Sequence, residues 1–200
     1  MNPFAALLAA GAATLVAAAP APVSWVPDLV HSRVEFTVSH MVVSKVWGHV
    51  PIRSLAIVTP SGIAIPERID AVLDVSHEDT DNHERDTALR SESFFDVARY
   101  PTMTFHSTKI TSAGADDFLV TGDLTIKNVT KPVSFRGHVE GRIPEGSGTR
   151  AGYSAQFRVD RRDFGLLDGT LTPAGVLLVG YDVTIGLTAE ATTDDPTERR

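Results

Sequence analysis

The chain has no cysteine, a shortage of positive charge and, after its N-terminal segment, no stretch long and apolar enough to span a membrane. The absence of cysteine excludes disulfides, thiolate zinc sites, iron–sulfur clusters and cysteine nucleophiles. Eighteen basic against 25 acidic residues give a net charge of −7, which argues against a nucleic-acid partner, because phosphate binding needs a surplus of lysine and arginine. The chain is instead rich in turn-forming residues, with 15 glycines and 12 prolines, and this favours an all-β fold.

The N-terminal segment is uncharged and apolar. Residues 4–19 contain one polar side chain, Thr14, and the segment ends in small residues. This pattern resembles a secretory signal peptide with cleavage near Ala19 or Ala21, and it predicts a periplasmic or secreted protein. An uncleaved anchor and a disordered N-terminus are the alternatives. The expected division of the chain is a signal peptide at 1–21, a barrel domain at 22–191 and a polar tail at 192–200.

Most of the remaining chain alternates apolar and polar residues with a period of two, which is the pattern of half-buried strands. In residues 33–39, for example, Val34, Phe36 and Val38 share one face. Turn-forming residues separate such stretches. The pattern predicts strong strands at 33–39, 118–126, 133–140, 151–159 and 181–189, and weaker strands at 46–58, 68–75 and 102–111.

One helical stretch interrupts the strands. Asp81 and Glu84 have the spacing of a capping box, which predicts a helix around 82–95 with Phe94 and Phe95 as apolar contacts. We interpret this helix as a candidate lid or plug. About eight half-buried antiparallel strands form either a sandwich or a closed barrel, and closure removes exposed strand edges.

Two glycines, Gly122 and Gly137, fall on the apolar faces of their strands. In a narrow barrel, small inward-facing residues leave lengthwise room for a slender apolar ligand. The alternative is that these glycines mark bulges or strand coiling. On the first interpretation, Gly137→Phe blocks lipid uptake and leaves folding intact.

Five segments carry a resemblance to a known family. They are 28–40 (DLVHSRVEFTVSH), 85–96 (RDTALRSESFFD), 100–108 (YPTMTFHST), 122–133 (GDLTIKNVTKPV) and 162–165 (RDFG). In this order they resemble the YceI-like family, and the resemblance extends over about 25–190.

This resemblance implies both a fold and a function. Members of the family are small, usually exported proteins that are associated with isoprenoids, quinones and other long-chain lipids and are not established enzymes. The implied fold is all-β, an about eight-stranded antiparallel lipocalin-like β-barrel with one short helix near a barrel end. No cofactor is implied beyond a bound isoprenoid or quinone-type lipid.

The inward faces of the expected strands, together with the two phenylalanines of the helical stretch, supply the candidate lipid-binding residues. A shift of one residue along a strand would exchange its inward and outward faces, so the alternation in each strand decides which residues are candidates. These candidates are Val34, Phe36, Val38, Phe94, Phe95, Phe118, Val120, Leu124, Val133, Phe135, Gly137, Tyr153, Phe157, Val183, Ile185 and Leu187.

Polar clusters offer competing chemistry. Histidines and carboxylates crowd residues 77–86, where His77 and His83 are the weak candidates for metal ligands. The spacing matches no standard metal site, and a solvated acidic helix start explains the cluster equally well.

A second charged cluster, Asp160 to Asp163, precedes Phe164-Gly165. It predicts a salt-bridged turn that closes the barrel. The alternative is a cationic mouth for a phosphate or quinone head group, for which the candidate residues are Arg85, Arg90, Arg161 and Arg162.

The sequence therefore predicts an exported, non-catalytic protein that sequesters or carries an isoprenoid-like chain. Its expected partners are a long-chain lipid and, transiently, a membrane, and the oligomeric state stays open, with a homodimer among the alternatives. Two other functions compete with this one. They are a metal- or acid/base-dependent enzyme that uses the 77–86 loop, and an interaction domain whose barrel is filled by its own side chains.

Overall fold

A computed structural model describes residues 21–193, and antiparallel strands dominate this part of the chain. The predicted signal peptide and the end of the predicted tail lie outside the described residues. No helix in the described range is long and apolar enough to cross a bilayer. The strands are β1 (Pro22–His40), β2 (Ser44–His49), β3 (Ile52–Pro60), β4 (Arg68–Asp74), β5 (Thr102–Ser112), β6 (Asp117–Ile126), β7 (Val129–Glu145), β8 (Gly148–Asp160) and β9 (Val179–Thr192), with one α-helix, α1 (His83–Arg90).

Eight of these strands close into a barrel. The ring runs β1-β3-β4-β5-β6-β7-β8-β9, and β9 pairs back onto β1, so that the hydrogen-bonded ladder returns to its start. The ninth strand, β2, lies outside the ring and pairs along β1, and its last residue, His49, also forms a bridge with Asp79. The prediction of an eight-stranded antiparallel barrel is confirmed, and the sandwich alternative is wrong.

The single strand predicted at 46–58 is two strands in the structure. The chain breaks at Val50 and Pro51, where Pro51 has no N–H to donate and Val50 N donates to the carbonyl of Val34 at 3.0 Å. β2 therefore completes a hairpin with the end of β1, while β3 turns into the barrel wall and pairs with β4.

Helix α1 begins one residue later than the capping-box spacing predicts. The cap is Asn82, whose side chain accepts from Arg85 N at 2.9 Å. Asp81 has a φ of 60° and binds Asp79 through its own backbone N–H, so it belongs to the preceding turn. The helix ends at Arg90, and Phe94 lies in the turns that follow it.

Apolar side chains pack into two clusters, one at each end of the barrel. The closed-end cluster lies near the β3–β4 and β7–β8 turns and consists of Trp25, Ile57, Ala64, Phe118, Val120, Val139, Ala151, Tyr153 and Ala191, with partly buried neighbours. Its polar atoms are satisfied, because Trp25 Nε1 donates to Thr59 Oγ1 at 2.9 Å and the Tyr153 hydroxyl donates to the carbonyl of Ala64 at 3.1 Å. The helix-end cluster lies beside α1 and consists of Val75, Met103, Leu124, Ile126, Phe164 and Leu166, with partly buried neighbours. The clusters leave the middle of the barrel unfilled.

Candidate functional site

The middle of the barrel is a cavity of about 780 Å³. Its volume lies within the range of pockets that hold small ligands. All eight barrel strands contribute to its wall, which is predominantly apolar. The hypothesis of an interaction domain with a filled barrel is therefore wrong.

Most of the predicted lipid-binding residues line this cavity. They are Val34, Phe36, Val38, Phe94, Phe95, Phe118, Leu124, Phe135, Gly137, Tyr153, Phe157, Val183, Ile185 and Leu187. The period-two pattern thus identified the inward face of each strong strand.

Val120 and Val133 do not line the cavity, and their prediction as lining residues is wrong. Val120 is 0% exposed within the closed-end cluster, so neighbouring side chains cover it completely. Val133 packs against the helix-end cluster. The alternation along a strand predicts which side chains point into the barrel. Whether such a side chain borders the cavity depends on how the neighbouring side chains pack at its height along the barrel axis.

Further lining residues come from the strands with weaker alternation. β3 and β4 contribute Leu55, Ile69, Ala71 and Leu73, and β5 contributes Met103 and Phe105. The same spacing of two was present in these segments and could have identified them. Their strands carry fewer large residues, which weakened the signal.

The two inward glycines make room for aromatic rings. A Cβ on Gly137 would lie 2.4 Å from the ring of Phe118, its partner across the β6–β7 ladder. A Cβ on Gly122 would lie 2.5 Å from the ring of Phe105. The space beside Gly137 is therefore already occupied, so we expect Gly137→Phe to displace the Phe118 ring and to disturb folding, in contrast to the expectation from the sequence.

Aromatic side chains form a continuous group across the cavity wall. The ring of Phe135 stacks on Phe157 with centroids 4.7 Å apart, and its centroid lies 5.6 Å from that of the tilted Phe105 ring. Because these rings come from β5, β7 and β8, aromatic surface extends over three strands of the cavity wall.

The cavity reaches solvent beneath α1. Its exposed lining residues include Ala88, Ser93 and Leu167 at the helix end, and Arg33 and Glu35 on β1. Arg85 also lines it, with Nε donating to Thr80 Oγ1 at 2.7 Å and Nη2 donating to the Thr80 carbonyl at 2.6 Å. Its Nη1 makes no hydrogen bond within residues 21–193. Arg85 is thus a fixed cation at the mouth with one nitrogen available.

Arg90, a predicted head-group residue, lies away from the cavity and anchors α1. Its Nη2 donates to the Glu78 carbonyl at 2.6 Å, and its Nε lies 3.2 Å from Glu78 Oε1. The Glu78 side chain is fully buried. Burial raises the pKa of Glu78, and the nearby Arg90 charge opposes that rise. The pair ties the end of the helix to the segment before it.

The cluster at 160–163 is the salt-bridged turn that the sequence predicts. Arg162 pairs with Asp160, and its guanidinium lies over the Tyr181 ring at 4.1 Å. Arg161 is buried, and its three guanidinium nitrogens donate to backbone carbonyls, among them those of Leu166 and Val179. Arg162 does not line the cavity, and the donors of Arg161 are engaged, so the cationic mouth is wrong for both.

The loop at 77–86 does not gather a metal site. His77 Nδ1 lies 3.1 Å from Asp74, outside the loop, and Asp86 accepts from Thr80, while His83 is exposed. Within residues 21–193, potential ligands converge elsewhere, at Asp28, His31 and Glu190.

That convergence is an ion-pair network. Arg150 Nη1 lies 3.2 Å from Asp28 and 2.5 Å from Glu190, so a cation of the protein already pairs with both carboxylates. Hydrogen bonding to His31 lowers the pKa of Asp28 to about 2, and Asp28 raises the pKa of His31 in return. Neither cluster supports the alternative of a metal-dependent enzyme.

Solved structures share this architecture. A Campylobacter jejuni YceI protein superposes with a TM-score of 0.67 at 25% identity, covering 76% of this chain and 88% of that chain. A structure titled as a polyisoprenoid binding domain from Saccharophagus degradans gives a TM-score of 0.63 at 15% identity, covering 84% and 98%, which is a likeness of fold.

Sequence relatives extend the same match. A UPF0312 protein of Azotobacter vinelandii is 35% identical over 167 residues, which cover 80% of this chain and 85% of that protein. Protein YceI of Escherichia coli is 33% identical over 138 residues, covering 68% and 71%. The model of the YceI-like domain matches residues 25–191, from the first part of β1 almost to the end of β9. The chain belongs to the YceI-like family.

Proposed function

We propose that this protein binds one isoprenoid-like chain, a polyprenol or a quinone tail, in the barrel and sequesters or carries it without chemical change. The observation that supports this most strongly is the apolar cavity of about 780 Å³ between two packed ends. A YceI-fold neighbour titled as a polyisoprenoid binding domain agrees with it.

The volume sets the length of the ligand. At the ~30 Å³ that a water molecule occupies in the liquid, a cavity of about 780 Å³ holds roughly 25 non-hydrogen atoms. That number corresponds to about five isoprene units. A longer tail must therefore leave part of its length at the mouth or in the membrane from which it came.

Solvent exclusion supplies the affinity. Each buried methylene contributes about 0.8 kcal/mol relative to water, and association and ordering of the chain oppose much of the sum. A lipid that leaves a bilayer was already in hydrocarbon and gains little. A carrier therefore needs only a modest preference over the membrane, together with a mouth that opens.

The mouth favours a polar head group beside Arg85. Its Nε and Nη2 are fixed on Thr80, while Nη1 is available at the cavity entrance. A phosphate or a quinone oxygen is the acceptor that such a donor suits. Helix α1 carries Arg85, so the element that covers the cavity would also hold the head group.

Export is part of the proposal and follows from the apolar N-terminal segment. N-terminal sequencing of protein purified from its own cells tests it: a mature chain beginning after Ala19 or Ala21 supports export, and a chain that keeps residues 1–19 contradicts it.

Native mass spectrometry tests binding. Protein purified from its own cells, and ligand-free protein incubated with vesicles that contain a polyprenol or a quinone, should both carry one lipid per chain. Ligand-free protein in the first sample, together with no uptake in the second, would contradict the proposal.

A further inference from the structure

The hairpin between β1 and β2 projects from the barrel end that carries the cavity mouth. Its tip, residues 41–43, is apolar, and Val42 and Val43 are 77% and 80% exposed. Trp47 follows on β2 and is 63% exposed. Exposed apolar side chains that cluster in this way are typical of surfaces that contact a partner.

The backbone of the tip is in a conformation that its residues rarely adopt. Met41 has a φ of 49° and Val42 a φ of 56°, in the left-handed region that favours glycine and asparagine. A β-branched valine is among the least suitable residues for this region. Position 42 therefore carries an exposed apolar valine where the backbone would accommodate glycine or asparagine more easily.

The tip is joined to the mouth of the cavity. Met41 N donates to the carbonyl of Leu178 at 3.0 Å, and His40 pairs with Val179, which lines the cavity. Arg161 binds the carbonyls of Val179 and Asp168 and so holds the segment of exposed Leu167 beside the same strand. The apolar tip and the cavity mouth lie on one end of the barrel.

The charge of the hairpin differs from that of the rest of the chain. The protein has 25 acidic residues, yet none lies between Glu35 and Glu67. Between Glu35 and Arg53 the one charged side chain is Lys45, on the outside of β2 near Trp47. Glu35 pairs with His49 at the base of the hairpin, and a negatively charged lipid surface would meet no carboxylate between that base and the tip.

From these observations we infer that the β1–β2 hairpin is a membrane-docking element, in which Val42 and Val43 enter the bilayer and Trp47 lies at the level of the head groups. Tryptophan is enriched at that level, and a partly buried apolar tip binds a membrane reversibly. Docking through this end would bring the mouth beneath α1 against the surface from which a lipid chain enters. The inference rests on the proposed function, whose cargo resides in membranes.

Vesicle binding by the full chain tests the inference, with Val42→Asn as the variant and Val30→Asn as its matched control. Val30 is 88% exposed on the same strand but lies ten positions before His40, away from the hairpin. All three proteins keep the same N-terminal segment, so its contribution cancels. The vesicles are phosphatidylcholine, alone or with about one quarter phosphatidylglycerol.

We expect Val42→Asn to weaken vesicle binding about tenfold, because one valine side chain no longer leaves water. Val30→Asn should bind as the wild type does. Asparagine suits the left-handed backbone, so Val42→Asn should also raise the thermal midpoint by a few degrees, which separates lost docking from lost folding. Brominated lipids should quench the fluorescence of Trp47, and Trp47→Phe should abolish the quenching.

Three results would overturn the inference. The first is equal vesicle binding by wild type and Val42→Asn, and the second is the absence of Trp47 quenching. The third is a concentration-dependent dimer that Val42→Asn dissociates, without vesicle binding, because the tip would then contact a second copy. Delivering a prenol from ethanol without vesicles separates the two proposals: uptake there with no vesicle binding refutes docking and leaves the proposed function intact.

Discussion

Filling part of the cavity should shorten the longest chain that the protein holds. Ala155 lines the cavity from the middle of β8, in register with Leu187 on one side and Gly137 on the other. Ala155→Phe adds six carbon atoms, or roughly 180 Å³ at ~30 Å³ each, and leaves about 600 Å³ of the original cavity. That space holds roughly 20 non-hydrogen atoms, one isoprene unit fewer than before.

The effect on affinity should depend on the length of the ligand. For the longest prenol that the wild type encloses, the variant forces about five carbon atoms into water, at a cost of about 4 kcal/mol or close to a thousandfold in affinity. Shorter prenols, which leave that part of the cavity empty, should bind within a few fold of wild type. The structure thus predicts a shift in the length cutoff and little loss for short chains.

A series of prenyl alcohols that differ by one isoprene unit, compared by calorimetry and by competition in native mass spectrometry, measures this shift. Gln156→Phe is the matched control, because Gln156 is the next residue of β8 and is exposed on the outer face. Equal affinity of Ala155→Phe and wild type for the longest prenol would refute the view that the tail occupies the centre of the barrel. An equal loss at every length would point to distortion of the barrel, which thermal unfolding would reveal.

Three further predictions concern stability and the head group. Gly137→Ala should lower the free energy of unfolding by about 1–3 kcal/mol, because the added Cβ meets the Phe118 ring. Gly141→Ala on the same strand has open space around its Cβ and should change the free energy of unfolding by no more than about 0.5 kcal/mol. Equal free energies of unfolding for the two variants in chemical denaturation would contradict this prediction. Glu78→Gln should become more stable relative to wild type as the pH rises. Burial raises the pKa of Glu78, so its contribution to stability is full below the ordinary value of 4.5 and is lost as the pH rises through the folded-state pKa. If the two proteins differ in thermal midpoint by the same amount in acidic and alkaline buffer, burial does not control the pKa of this group. Arg85→Met should weaken the binding of a prenyl phosphate roughly tenfold to a hundredfold and leave the affinity for the corresponding hydrocarbon unchanged, as titration with both ligands would show. An equal loss of affinity for the two ligands would show that Arg85 does not contact the head group.

Alternation of apolar and polar residues was sufficient to predict the barrel and most of its lining, because a strand buried on one face repeats every two residues. The same pattern carries no information on depth along the barrel axis. Val120 and Phe118 share a face and a cluster, yet only Phe118 borders the cavity. Whether an inward side chain lies beside the cavity or within a packed cluster depends on which side chains from other strands lie at the same height. The sequence of a single strand contains no information on those neighbours.

The polar residues were harder to assign. Arg85, Arg90, Arg161 and Arg162 look alike in the sequence as cations near a barrel end, but only Arg85 keeps a free donor at the mouth. The difference arises from contacts distant in the chain, such as those of Arg161 with carbonyls near the start of β9. The left-handed backbone at Val42 was equally hidden, because valine gives no sign of a tight turn.

The separation of packed ends from a hollow middle affects how such a protein can change over generations. The barrel has a continuous ladder and a packed cluster at each end, and side chains at mid-height such as Ala71 and Ala155 belong to neither cluster. Exchanges at those positions should therefore alter which molecule fits far more than whether the chain folds. Diversification of cargo on a constant scaffold is the outcome expected of this layout.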